Sequence, residues 1–247
     1  MTVITFDLAK DALFLDLDGT LIDIAPRPDD VYASKELIAG LGVLYERLGG
    51  ALAVVSGRSI SAIDALLAPL KLPASGVHGA EVRRDANGSI ALHPARIISS
   101  AVRWLLAPLS SIPGVLIEDK GVAIAVHYRQ APDAAELIRE TVLKAMQADE
   151  DNDLTLIPGK CVFEIKQAGY SKGTALIEFM AVSPWNGRRP VFVGDDVTDE
   201  QAFAVLPRWN GLGLAVGQER AGALKAFNSA AEVRRWISGL VQQEYTT

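Results

Sequence analysis

Ala12-Leu13-Phe14-Leu15-Asp16-Leu17-Asp18-Gly19-Thr20 is a short apolar run that ends in an acidic turn. A run of this length, with no polar alternation, is the pattern of a strand buried on both faces of a parallel sheet. Residues two apart on a strand share a face, so Asp16 and Asp18 can converge as the chain leaves the sheet edge. One carboxylate can then attack and bind metal while the other exchanges protons. An ordinary strand ending in an acidic turn would look similar, but four fixed positions at roughly 5–7% usage each coincide by chance about once in 10⁵ starts.

The same pattern continues outward. Ser34 can cap a helix carrying Leu37, Ile38, Leu41, Leu44 and Leu48, which Gly49-Gly50 ends. Ala51 to Val55 is a second buried strand that stops at Ser56-Gly57-Arg58. Strand, helix, strand begins a doubly wound sheet. Asn87-Gly88 marks a hairpin between Ala80 and Leu92. Toward the C-terminus, Lys172 to Val182 reads as a helix and Pro190 to Val193 as a strand before Gly194-Asp195-Asp196. Gln201 to Leu206 is a helix, Gly211 to Val216 a strand, and Glu232 to Val241 a closing helix with Val233, Trp236, Ile237 and Leu240 on one face.

The middle of the chain departs from this alternation. A helix is expected over Arg96 to Leu109, then strands over Gly114 to Glu118 and Val122 to Tyr128. A helix capped by Asp133 and a strand pair around Pro158-Gly159-Lys160 follow. The fold expected is therefore α/β: a Rossmann-like, doubly wound parallel sheet with a smaller inserted α+β cap domain. The core is assigned to residues 1–97 and 168–247 and the insertion to residues 98–167. His127 reads as a structural strand residue, and Trp104 and Trp236 as helix-packing residues.

Three further motifs lie where strands end and helices begin. Ser56-Gly57-Arg58 offers a hydroxyl and backbone N–H groups suited to phosphate, although Ser-Gly is also an ordinary turn. Lys172 opens a helix, where a cation opposes the dipole; a nearby phosphate or carboxylate would account for it, whereas alone it would be a solvated lysine. Gly194-Asp195-Asp196-Val197-Thr198-Asp199-Glu200 packs four carboxylates into six residues, a repulsion that a hard divalent cation relieves. Open α/β sheets bind ligands at this carboxyl edge. A nucleophilic carboxylate, a proton shuttle, phosphate donors, a lysine and a metal make a full set for phosphoryl transfer.

Composition sets limits on partners and surroundings. Half of the 247 residues are hydrophobic (49%), enough for a sizeable core, and the net charge of −6 comes without a basic stripe, which argues against nucleic acid. The single cysteine, Cys161, permits no internal disulfide and fits a reducing cytoplasm. No leader-like segment or membrane-length apolar run is present. Three histidines and one cysteine make a zinc site or a Cys/His nucleophile a poor fit. A monomer is the default expectation.

In this order the motifs resemble those of the haloacid dehalogenase superfamily. With His78-Gly79-Ala80-Glu81, Pro158-Gly159-Lys160 and Glu164-Ile165 added, they resemble the trehalose-6-phosphate phosphatases over nearly the whole chain. The resemblance implies Mg²⁺-dependent hydrolysis of trehalose 6-phosphate, in trehalose biosynthesis. By position Asp16 would be the nucleophile, Asp18 the general acid/base and Lys172 a phosphate-site residue beside Ser56, Gly57, Arg58 and His78. The metal would be held by Asp16, the Asp18 backbone and Asp195, with Asp196 beside them. Glu118, Lys120, Lys160 and Glu164 would hold the sugar. Where the family carries asparagine before the histidine, this chain has Val77. The rival readings are a phosphatase for another sugar phosphate (sucrose phosphate or mannosyl-phosphoglycerate), a phosphate-accepting signalling domain, and a non-catalytic sugar-phosphate sensor. Asp18 argues against a signalling domain, which gains nothing from a leaving-group acid.

Overall fold

A computed structural model describes residues 5–25, 30–93, 97–151 and 153–243. The chain divides into two compact units, Met1–His93 with Ser171–Thr247, and Pro94–Tyr170.

In the first unit β1 (Asp11–Leu15) is buried along its whole length. After it come α1 (Lys35–Arg47), β2 (Leu52–Val55), α2 (Ile60–Leu67), β3 (Ala74–Gly76), β4 (Glu81–Arg83) and β5 (Ala91–Leu92). The Ser34 hydroxyl accepts from Leu37 N and starts α1 as its sequence predicts, while Gly49 and Gly50, at φ 58° and 86°, end it. The short α2 lies outside the elements that the sequence pattern predicts. It carries its own signal: a Ser59 cap followed by buried Ile60, Ile63 and Leu67.

The second unit contains α3 (Ser100–Leu106), β6 (Leu116–Asp119), β7 (Ala123–His127), α4 (Ala135–Gln147), β8 (Leu154–Gly159) and β9 (Val162–Gln167). Its antiparallel sheet runs β6-β7-β9-β8. Ile124, Val126, Phe163 and Ile165 pack with Val102 and Leu106 of α3 and Ile138 and Val142 of α4 in a core of their own. Several expectations change here. The helix starts at Ser100 behind a Ser99 cap, and Arg96 lies outside the described residues. Pro132 opens a one-turn 3₁₀ segment, so Asp133 lies inside that turn and Ala134 takes the cap position of α4. Trp104 is 76% exposed on α3 and packs no core.

The first unit resumes with α5 (Lys172–Met180), β10 (Arg189–Gly194), α6 (Glu200–Phe203), β11 (Leu212–Val216), β12 (Leu224–Phe227) and α7 (Ala230–Gln242). The helix expected over Gln201 to Leu206 is a single turn, followed by a 3₁₀ turn through Pro207. The sheet order is β12-β11-β10-β1-β2-β3-β4-β5, parallel from β12 to β3, with β4 antiparallel to both β3 and β5. Buried Leu13, Phe14, Leu15, Val54, Val191 and Phe192 form its middle, each contributing about 1.5–3 kcal/mol by transfer out of water. The winding direction reverses between β1 and β10, and open α/β sheets bind their ligands at such a switch point, outside the carboxyl ends of the strands. Among the described residues no helix is long and apolar enough to cross a membrane.

Candidate active site

β1 delivers Asp16 and β10 delivers Asp195 on either side of that switch point. Asp16 is held in register by its backbone N, which donates to Val193 O at 3.0 Å. Its buried carboxylate accepts from Lys172 Nζ at Oδ1, 2.6 Å away, and from the Thr20 hydroxyl at Oδ2, 3.2 Å away. The Thr20 hydroxyl also lies 3.4 Å from Asp195 Oδ1. Between them Gly19 turns with φ +81°, and a Cβ there would stand 2.3 Å from Asp195 Oδ2. Only glycine permits both the turn and the approach.

Lys172 opens α5 behind a Ser171–Thr174 capping box. Its ammonium bonds Asp16 and, at 2.7 Å, Asp199 Oδ1, which explains a lysine at a helix N-terminus. Asp199 has no exposed surface, and its other oxygen accepts from Asp196 N at 2.8 Å. Burial alone would push the Lys172 ammonium down; the attraction of Asp16 and Asp199 outweighs it and the group is held charged. Burial pushes the Asp16 carboxyl up, and Lys172 pulls it back while Asp199 and Asp195 add to the rise.

Asp16, Asp195 and Asp199 each offer a carboxylate oxygen, all within 4.8 Å of one another. Three carboxylates facing one ammonium, with oxygen donors only, suit a hard divalent cation. The set differs from the sequence expectation. The Asp196 side chain accepts from Val197 N and caps the 3₁₀ turn, and the third carboxylate of the cluster is the buried Asp199. The Asp18 carboxylate is also outside the cluster. It is gripped by Arg58, whose Nε and Nη2 donate at 2.7 Å each. Arg220 enters without any local sequence signal: its Nε donates to Asp195 O at 2.9 Å.

Ser56, Gly57, Arg58 and His78 meet in two knitted loops after β2 and β3. Arg58 N donates to Ser56 Oγ, Val77 N to Arg58 O and His78 N to Ser56 O. A Cβ on Gly57 would lie 2.6 Å from His78 Nε2, so glycine lets the imidazole pack on the backbone. Val77 and His78 have φ of 47° and 51°. Asparagine tolerates that region far better than a β-branched residue, which gives the Val77 departure a structural meaning.

In the second unit Glu118, Lys120 and Glu164 form a network. Lys120 Nζ lies 2.9 Å from Glu164 Oε1 and 3.9 Å from Glu118 Oε2. Lys160 is not in it. It is exposed in the β8–β9 turn, where its carbonyl accepts from Arg129.

The trehalose-phosphatase family model matches residues 14–225. Trehalose-6-phosphate phosphatase of Escherichia coli (strain K12) is 42% identical over 93% of this chain and 86% of its own. The solved C-terminal domain of C. albicans trehalose-6-phosphate phosphatase superposes with a TM-score of 0.81 at 21% identity, covering 95% of this chain and 93% of that one. A haloacid dehalogenase-like hydrolase from B. subtilis shares the fold at 18% identity and a TM-score of 0.58, covering 92% and 99%.

Proposed function

This chain belongs to the trehalose-phosphatase family, and we propose that it hydrolyses trehalose 6-phosphate to trehalose and phosphate through a phosphorylated Asp16. The observation that carries the chemistry is the buried Asp16 carboxylate at the sheet switch point, bonded to Lys172 and clustered with Asp195 and Asp199.

In the first step an Asp16 oxygen attacks phosphorus, and the bond to the sugar oxygen breaks on the opposite side. Asp18, leaving Arg58 with a proton taken from solvent, gives that proton to the sugar alkoxide. In the second step Asp18, now a carboxylate, takes a proton from water as the water oxygen attacks phosphorus and Asp16 departs as a carboxylate. Lys172 offsets charge on Asp16 and on the transferring group. Ser56 and the neighbouring loop amides hold phosphoryl oxygens. Asp16, Asp195 and Asp199, with the Asp18 carbonyl, would hold Mg²⁺, which supplies charge neutralisation for the phosphoryl group when bound.

Sugar recognition falls to Glu118, Lys120, Lys160 and Glu164, because carboxylates accept from hydroxyls and ammonium groups donate to them. A cytoplasmic setting fits the lone Cys161, and a monomer fits the net charge of −6. A phosphate-release assay over trehalose 6-phosphate, sucrose 6-phosphate, mannosyl-phosphoglycerate and glucose 6-phosphate tests the assignment. Preference for trehalose 6-phosphate by about tenfold or more in kcat/KM is expected. A higher value for another ester reassigns the substrate, and no turnover of any of the four overturns the assignment.

A further inference from the structure

No step above uses His127. It ends β7, and strand alternation puts it on the sheet face of Ala125 and Glu164, opposite the face that carries Ile124 and Val126 into the helices. Leu116 is directly across from it on β6, and Glu118 is one diagonal step away. His127 Nε2 lies 3.1 Å from Glu118 Oε2. The Glu118 carboxyl is held below its ordinary value, first by this hydrogen bond and, against the cost of burial, by the charge of Lys120. An ionised carboxylate only accepts, so Nε2 carries the proton. The polar chain therefore runs from His127 through Glu118 and Lys120 to Glu164. A glutamate has three rotatable bonds, and a half-exposed one must be ordered before it can serve a ligand.

We propose that His127 is a positioning residue for sugar recognition: its Nε2–H fixes one oxygen of Glu118, so that the other is presented to a substrate hydroxyl. This rests on the function proposed above. The experiment is a double-mutant cycle on trehalose 6-phosphate with His127→Ala, Glu118→Ala and the pair, alongside His127→Gln. His127→Ala should raise KM about five- to tenfold with kcat moving less than about twofold. His127→Gln, which keeps an N–H donor, should recover most of that loss. In the Glu118→Ala background, where no acceptor remains for His127, His127→Ala should add less than about twofold. Nitrogen-15 NMR of the unsubstituted protein should show His127 protonated at Nε2. An unchanged KM, an equal loss in both backgrounds, or a proton on Nδ1 alone overturns the proposal. Absence of trehalose 6-phosphate turnover by the unsubstituted protein overturns the function beneath it instead.

Discussion

Arg58 holds the carboxylate of Asp18 through two 2.7 Å hydrogen bonds, Nε to Oδ2 and Nη2 to Oδ1. Asp16, two residues earlier, turns to Lys172 instead. Adjacent carboxylates thus have separate partners, as separate roles require. Asp18→Asn should lower kcat on trehalose 6-phosphate by about 10²–10³-fold, the range of general acid–base catalysis. An activated aryl phosphate needs little leaving-group protonation and should lose far less. Equal losses on both esters would mean that Asp18 acts by shaping the site through Arg58 and not by moving a proton.

Asp16→Asn should keep the fold, since Lys172 retains its 2.7 Å bond to Asp199, and should remove turnover because an amide is a very poor nucleophile. Circular dichroism checks the first half and phosphate release the second. Substantial residual activity would exclude Asp16 as the phosphorylated residue.

Metal dependence should follow the Asp16–Asp195–Asp199 cluster. Chelation should abolish activity and Mg²⁺ restore it, with Ca²⁺ a poor substitute because it favours longer bonds and more ligands. Saturating Mg²⁺ at about 100 times Kd should also stabilise the fold by about 2.7 kcal/mol, read as a rise in Tm. Calorimetric titration should give Asp195→Asn at least about tenfold weaker Mg²⁺ binding. Asp196→Asn should leave binding nearly intact, because that side chain serves a backbone cap. The reverse ranking would return Asp196 to the metal.

Glu118→Ala or Glu164→Ala should lower kcat/KM for trehalose 6-phosphate by about 10–100-fold, on the order of 1.4–2.8 kcal/mol. Polar groups built to meet sugar hydroxyls discriminate strongly when left unpaired. A small aryl phosphate is the comparison. A matching loss on it would assign these residues to folding, with Lys120 deprived of its 2.9 Å partner in the Glu164 variant.

The chain by itself determined the strand of residues 12–15, the cap at Ser34, the helix that Lys172 opens, the Asn87-Gly88 hairpin and the strand-end placement of every motif. These depend on period, turn chemistry and backbone sterics within a few residues. The sequence left open which acidic residue meets which cation. Lys172 reaches Asp16 across 156 positions and Asp199 across 27. Those meetings depend on the register of β1 against β10 and on the seating of α5 beside them. Asp196 and Asp199 look alike in a row of carboxylates, yet one is turned to a backbone amide and the other into the cluster. Trp104 reads as a packing residue but lies outside the core because α3 turns its other face to the sheet. Arg220 and His127 acquire their partners only when a loop or a neighbouring strand closes on them. Local energetics select the elements, but side-chain pairing needs the distances between elements, and those exist only once the sheets are assembled.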